Sequence, residues 1–146
     1  MTYENPWIFN NEAFNTEDIK KYEGFVYVII SQITLRYYIG RKYFYSKRRK
    51  KGATRRTTTE SNWKVYYGSN KTLQDEVKEH GKENHKRIIL SLHTTKGDVN
   101  YEEVKQQFIQ NVLEDDKYYN DNINGKWYRK ADHIVKGRLL NEDFKL

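Results

Sequence analysis

Gly24-Phe25-Val26-Tyr27-Val28-Ile29-Ile30 runs through a short polar gap into Tyr37-Tyr38-Ile39-Gly40-Arg41-Lys42. Both halves are rich in β-branched and aromatic residues, which suit a pleated, half-buried surface. Ser31, Gln32, Ile33 and Thr34 between them are few enough for a hairpin loop. With those four as the loop, Ile30 faces Leu35 and Tyr27 faces Tyr38, both phenols on one side of the sheet. Plain sheet packing would also produce such a pair, so the hairpin alone carries no function.

The residues beyond Tyr38 change that. Between positions 36 and 59 stand ten cations, namely Arg36, Arg41, Lys42, Lys47, Arg48, Arg49, Lys50, Lys51, Arg55 and Arg56, with no acid among them. Cations without counter-charges repel one another unless an anion lies against them, and phosphate is the commonest such partner. A solvated basic face is the plainer reading. The whole chain leans the same way, with 27 basic against 20 acidic residues and a formal charge of +7. There are 13 tyrosines, which fill cores as readily as they stack on bases. No cysteine is present, which excludes disulfides and thiolate metal sites and fits a reducing cytoplasm. Neither an apolar N-terminal leader nor an apolar run of membrane-spanning length occurs, so no membrane partner is expected.

At 146 residues one domain is expected. Residues 1–21 read as a lead-in segment in which Trp7, Ile8 and Phe9 tuck against the core. Residues 43–51 are expected to form a helix, and 52–61 a loop. Gly68-Ser69-Asn70 then caps a helix with Leu73 and Val77 on its inner face and Gly81 as its stop. Residues 86–92 read as a third strand, and Thr95-Lys96-Gly97-Asp98 as a turn. A second helix over 101–113 carries Tyr101, Val104, Phe108, Val112 and Leu113 as its apolar stripe. Residues 121–146 form a C-terminal extension with a modest apolar pattern at Ile134, Val135, Leu139 and Leu140. The expected fold is a small α/β domain, a three-stranded antiparallel sheet flanked by helices.

Phe25-Val26-Tyr27, ten residues, and then Tyr38-Ile39-Gly40 resemble the paired signature of the GIY-YIG nucleases. Phe25 departs from the family's first glycine, although Gly24 precedes it. The nearer likeness is to the phage-encoded, freestanding Seg-like homing endonucleases. It is carried by Tyr38-Ile39-Gly40-Arg41-Lys42 and by Asn62-Trp63-Lys64-Val65-Tyr66-Tyr67-Gly68-Ser69, and it spans about 22–120. The resemblance implies a DNA endonuclease that uses Mg2+ or Mn2+ and works in the cytoplasm of an infected bacterial host.

The resemblance also implies a site. Tyr27 and Tyr38 would line the water and the phosphate, the first as general base. A phenol of ordinary pKa is a poor base at neutral pH, so Arg41, Lys42 and a bound cation are expected to lower it. Arg48, ten residues after Tyr38, matches the family's arginine at the start of a helix, and a guanidinium fork suits phosphate oxygens. The family's single metal-binding carboxylate falls on Glu103, ahead of Lys105-Gln106-Gln107-Phe108. Glu102 stays in reserve because it lies nearer the apolar stripe. As ordinary helix N-terminal carboxylates, both would simply complement the helix dipole. Asn120 matches a late supporting asparagine. Arg41, Lys47, Arg49, Lys50, Lys51, Arg55, Arg56 and Asn120 are the expected DNA contacts. Trp63, Tyr66 and Tyr67 are expected in the core first and on DNA second. His80, His85, His93 and His133 lack ligand spacing and read as structural or exposed.

A nucleic-acid-binding module without chemistry is the competing reading. Such a module would depend on Arg48 and Lys42 and be indifferent to Glu103 and to chelators. Beyond residue 120 the chain is too short for a further folded module. Sequence recognition is therefore expected to be modest, unless a homodimer or a partner protein supplies it.

Overall fold

The computed structural model describes residues 2–130. In chain order its elements are β1 (Ile8–Phe9), β2 (Glu12–Ala13), β3 (Gly24–Ser31), β4 (Tyr37–Tyr43), β5 (Tyr45–Arg49), β6 (Arg56–Glu60), α1 (Lys71–His80), β7 (His85–His93), α2 (Lys96–Ile109), β8 (Asn122–Ile123) and β9 (Trp127–Tyr128). The main sheet has the order β2-β1-β7-β3-β4. Its centre is the expected antiparallel trio β7-β3-β4, widened by β1, which runs parallel to β7, and by β2. The α/β expectation holds. The apolar pattern at Ile134, Val135, Leu139 and Leu140 lies outside the described residues, as does His133.

The hairpin register differs from the expected one by two residues. Ile30 pairs with Tyr37, and Tyr27 pairs with Gly40 instead of Tyr38. The Ser31 hydroxyl causes the slip, because it accepts from the amides of Ile33 and Thr34 and draws residues 32–35 into the turn. Leu35 adopts the left-handed region there, with φ of 60°. A shift of two preserves the facing of every side chain, so Tyr27 and Tyr38 still share one side of the sheet. Their ring centroids stand 6.2 Å apart.

Residues 43–51 are not a helix. Tyr45–Arg49 is a strand paired with Arg56–Glu60, where a loop was expected. On a helix, Lys47 would sit one turn from Lys51, a like-charge pair. In the ribbon Lys47 faces Thr58 and Arg48 faces Thr57, and the β-branched threonines favour extended backbone.

Both helices are capped by side chains. Asn70 accepts from the Leu73 amide at 2.9 Å, and α1 ends at Gly81, whose φ of 95° disfavours any side chain. Thr95 accepts from the Asp98 amide, so residues 95–98 open α2 where a turn was expected. The α2 stripe is also not the expected one. Val99, Glu103 and Gln107 face inward, while Tyr101 and Phe108 are exposed. Val112 and Leu113 are buried, but they lie beyond the helix end.

Core side chains cover both faces of the sheet. Trp7, Phe25, Ile29, Phe44 and Trp63 pack with Leu73 and Val77 of α1. Val26 and Ile39 pack with Val99 of α2 and with Val112, Leu113 and Tyr118. Trp7 anchors the lead-in, its indole donating to the Trp63 carbonyl at 2.7 Å. Arg87 is buried in the first cluster at 1% exposure. It donates to the Tyr66 carbonyl at 2.9 Å and to that of Asn5 at 3.2 Å, with Tyr67 and Trp7 rings against the guanidinium at 4.3 and 4.8 Å. Arg87→Ala would orphan those carbonyls and leave a cavity, so unfolding free energy should drop by about 3 kcal/mol or more. Denaturant melts would measure it, and a loss under about 1 kcal/mol would show that the carbonyls find other partners.

Candidate active site

β4 is the edge strand of the main sheet, so side chains from its two faces can meet around one border. Tyr38, Gly40 and Lys42 share the face of Tyr27, and Arg41 points to the α2 side. A cleft of about 310 Å³ opens there, lined by Tyr27, Tyr38, Arg41, Lys42, Tyr66 and Glu103 among others. A second cleft of about 520 Å³ shares Tyr38, Arg41, Ser69 and Glu103 and continues to Lys71 and Asn120. Together they form one groove along the sheet edge.

Gly40 makes room for the first tyrosine. A Cβ at that position would lie 2.5 Å from the Tyr27 hydroxyl and 2.7 Å from its ring. Gly68, with φ of 84°, passes the Tyr38 ring less closely, at 3.1 Å from where a Cβ would stand. Tyr27 is buried and wedged against Trp7 at 4.9 Å, so it cannot swing aside. Gly40→Ala should therefore cost about 1–3 kcal/mol of stability and displace the phenol, with cleavage falling further than the melting temperature suggests. Wild-type rates in that variant would show that the phenol's position is not critical.

Glu103 is only 8% exposed, and its Oε1 accepts from Arg41 Nη1 at 2.8 Å. Burial raises its carboxyl above the ordinary value, opposed by the charge and hydrogen bonds of Arg41. Protonation then comes at a higher pH than for a solvated glutamate. In the metal-free protein the carboxylate is lost as pH falls through that window. Stability moves the other way. A carboxyl raised in the folded state binds its proton more readily there, so protonation of Glu103 favours folding. Melting of the metal-free protein should accordingly show Glu103 contributing stability as pH falls through that window, relative to Glu103→Gln, and a contribution of the opposite sign would contradict this.

The Tyr27 phenol is shifted well above its ordinary value, first by burial and then by Tyr38, Tyr66 and Glu103. The expected lowering by Arg41 and Lys42 is therefore reversed in the metal-free protein. Both cations line the same cleft, but the phenol is governed by desolvation and its tyrosine and carboxylate neighbours. Burial also lowers the Lys42 ammonium, which sits 4.1 Å from the Tyr66 ring centroid. The Tyr38 hydroxyl bonds Ser69 Oγ at 3.1 Å.

Of the residues singled out in the sequence, the groove gathers Tyr27, Tyr38, Arg41, Lys42, Glu103 and Asn120. Arg48 is not among them. It is exposed on β5 together with Lys47 and Arg49, while Lys50, Lys51, Arg55 and Arg56 are exposed around the ribbon tip. Because 43–51 is extended, the first long helix after the hairpin is α1, and the cation at its start is Lys71. Asn120 faces inward at 2% exposure, its amide donating to the Ile39 carbonyl and its oxygen accepting from the Ile39 amide. Gln107 donates to the same carbonyl at 3.0 Å. These two pin the edge strand between Tyr38 and Gly40. Glu102 lies on the outer side of α2, near Lys105 and Gln106.

Sequence reasoning did not find the pairing of Arg41 with Glu103, nor the place of Tyr66 in the cleft. Gln107 was detectable, because it stands one helical turn beyond Glu103. Trp63 and Tyr67 are core residues as expected. His85 is buried against the Gly81 carbonyl and His93 bonds Ser91, both structural roles.

A cation in the groove would need hard oxygen donors, and Glu103 supplies one. Among the described residues no group of three or more His, Cys, Asp or Glu side chains could hold a metal ion. That donor set fits a Mg2+-like ion, which keeps several waters and takes one or two carboxylates plus substrate phosphate. Among the described residues no helix is long and apolar enough to cross a membrane.

Comparison with known families gives a match over most of the chain. The model described as "Putative endonuclease segE, GIY-YIG domain" covers residues 7–123. Neither a curated protein nor a solved structure matches significantly.

Proposed function

The chain belongs to the SegE branch of the GIY-YIG endonuclease domains, and on that premise we propose that it is a divalent-metal-dependent DNA endonuclease. The observation that carries the reading is the buried carboxylate of Glu103 between the tyrosines and cations of the first cleft. A module that only binds phosphate has no use for it, since a carboxylate at that place repels the ligand. It becomes useful when a cation stands between carboxylate and phosphate.

A bound Mg2+ or Mn2+ would be held by Glu103, and it would polarise a non-bridging phosphate oxygen and lower the pKa of a coordinated water. The protein's own groups do the rest. Arg41 stands beside Glu103, where its guanidinium holds the carboxylate in one rotamer and adds positive charge toward phosphate oxygens. Lys42, from the other face of β4, adds a second positive charge. Tyr27 and Tyr38 present hydroxyls in the same cleft and orient water and phosphate for in-line attack. Water adds to phosphorus, the bond to one ester oxygen breaks, and the proton lost by water leaves toward solvent or the departing oxygen. Asn120 and Gln107 act through Ile39, holding the edge strand so that Tyr38 and Gly40 keep their positions.

Within this reading the chain acts on DNA in an infected bacterial cell, as a homing-type enzyme of phage origin. Supercoiled plasmid incubated with the purified chain should be nicked or linearised with magnesium or manganese and stay intact with EDTA. Equal cutting in EDTA would remove the metal from the account. No cutting under any condition would leave a binding module.

A further inference from the structure

Apart from Tyr45 at its base, which packs against the first core cluster, the ribbon formed by β5 and β6 lies outside both clusters and is hydrogen-bonded as a sheet of its own. Residues 47–59 are all exposed on both faces. Its stem is anchored by Phe44, buried under Trp63, and by the Ser61 amide, which donates to the Phe44 carbonyl. Seven cations stand between positions 47 and 56, and among the described residues none of them is paired with a carboxylate. Arg49 even faces Arg56 directly. A two-stranded ribbon with no apolar face is marginal by itself, and like charges across it weaken it further. A polyanion laid against it would reverse that penalty.

Resting on the nuclease reading above, we propose that this ribbon is an arm that enters the major groove of duplex DNA beside the cleaved phosphate. Three features select this partner. The strands are five residues long, about 17 Å at the usual rise, and a two-stranded ribbon fits a groove about 12 Å wide. Positions 46–59 contain no aromatic residue on which unpaired bases could stack, which disfavours single strands. Lastly, the arm grows out of the active groove itself. Ser46 lines the first cleft, and Arg48 follows on the same strand face about 7 Å further out. Arg48 thereby holds a flanking position on the DNA, and Thr57 opposite it offers a hydroxyl and a methyl to base edges.

The test uses full-length protein carrying Glu103→Gln, so that DNA survives, with a 30-base-pair duplex and one of its single strands as probes. One variant carries Lys47→Gln, Arg49→Gln, Lys50→Gln and Arg56→Gln; a second replaces residues 49–56 by Asn-Gly, a two-residue turn that keeps the 48–57 pair. Both should retain the parent's melting temperature and lose at least about tenfold in duplex affinity at physiological salt. The log–log salt slope should fall by about two to four units. Dimethyl sulfate protection of guanine N7, a major-groove atom, should appear with the parent and vanish with both variants. Unchanged slopes, unaltered N7 reactivity with the parent, or an equal loss on the single strand would each overturn the arm. The nuclease reading fails separately. Wild-type chain that binds through the ribbon and never cuts plasmid sinks that reading alone, whereas cutting with an unaltered salt slope in the variants sinks the arm alone.

Discussion

Glu103→Gln is expected to lower the cleavage rate by about a thousandfold or more while duplex affinity stays within a few-fold of wild type. The substitution keeps the shape of a side chain that is 8% exposed and removes its charge. What disappears is the only carboxylate among the described residues that line the first cleft. Binding should hold or tighten slightly, because a negative charge has left a groove that receives phosphate. Arg41 loses its ion-pair partner, but its side chain is 38% exposed and can hydrate, so the stability cost should stay near about 1 kcal/mol. The measurement is single-turnover cleavage of plasmid in magnesium, beside a binding isotherm and a thermal melt on the same preparation. Wild-type-like cutting would move the metal ligand elsewhere, with Glu102 first in line despite its outward position. A parallel collapse of binding and melting would assign Glu103 to the fold and not to the chemistry.

Much of this site was legible before any coordinates, and the reasons are local. Tyr27, Tyr38 and Gly40 lie on one hairpin, where sequence distance converts directly into spatial distance. A two-residue error in register left them on the same face. The resemblance selects Glu103 over Glu102, against a helical wheel that favours the other. The expected apolar stripe is not the inward face, because α2 starts at Lys96 and turns the line Val99-Glu103-Gln107 inward. It does so because Gln107 and Asn120 hold the Ile39 backbone of an edge strand, an interaction no hydrophobicity pattern displays. The helix expected around Arg48 is the opposite case. Counting ten residues from Tyr38 assumed that a helix follows at once, and the β5–β6 ribbon intervenes. The expected helix over 43–51 agrees with the resemblance, which places its arginine at a helix start, but only pairing with 56–60, a non-local contact, shows that the run is extended.

Tyr27→Phe is expected to reduce the cleavage rate about 100- to 1,000-fold, with binding and folding nearly unchanged. The ring keeps its contacts with Trp7 and Phe25 at 4.9 and 5.9 Å, and only the hydroxyl leaves the cleft. The more discriminating observation is how the wild-type rate depends on pH. Burial, followed by Tyr38, Tyr66 and Glu103, pushes the phenol well above its ordinary value, so it is neutral at pH 7–9 in the metal-free protein. A mechanism that requires a free phenolate would then climb tenfold per pH unit across that range, because the reactive fraction rises with each step. A neutral phenol that orients water and phosphate by hydrogen bonding gives a flat profile there. We expect the flat profile, and Tyr27→Phe should lower its plateau without changing its shape. The sign of the alternative is equally clear. Should the wild-type rate rise with unit slope and the variant remove that rise, Tyr27 acts as a base, and the bound cation must bring its pKa down against the burial seen here. Flatness in both proteins with equal rates would leave Tyr27 as packing alone, and the role of ordering water would pass to Tyr38, whose hydroxyl already has Ser69 to hold it.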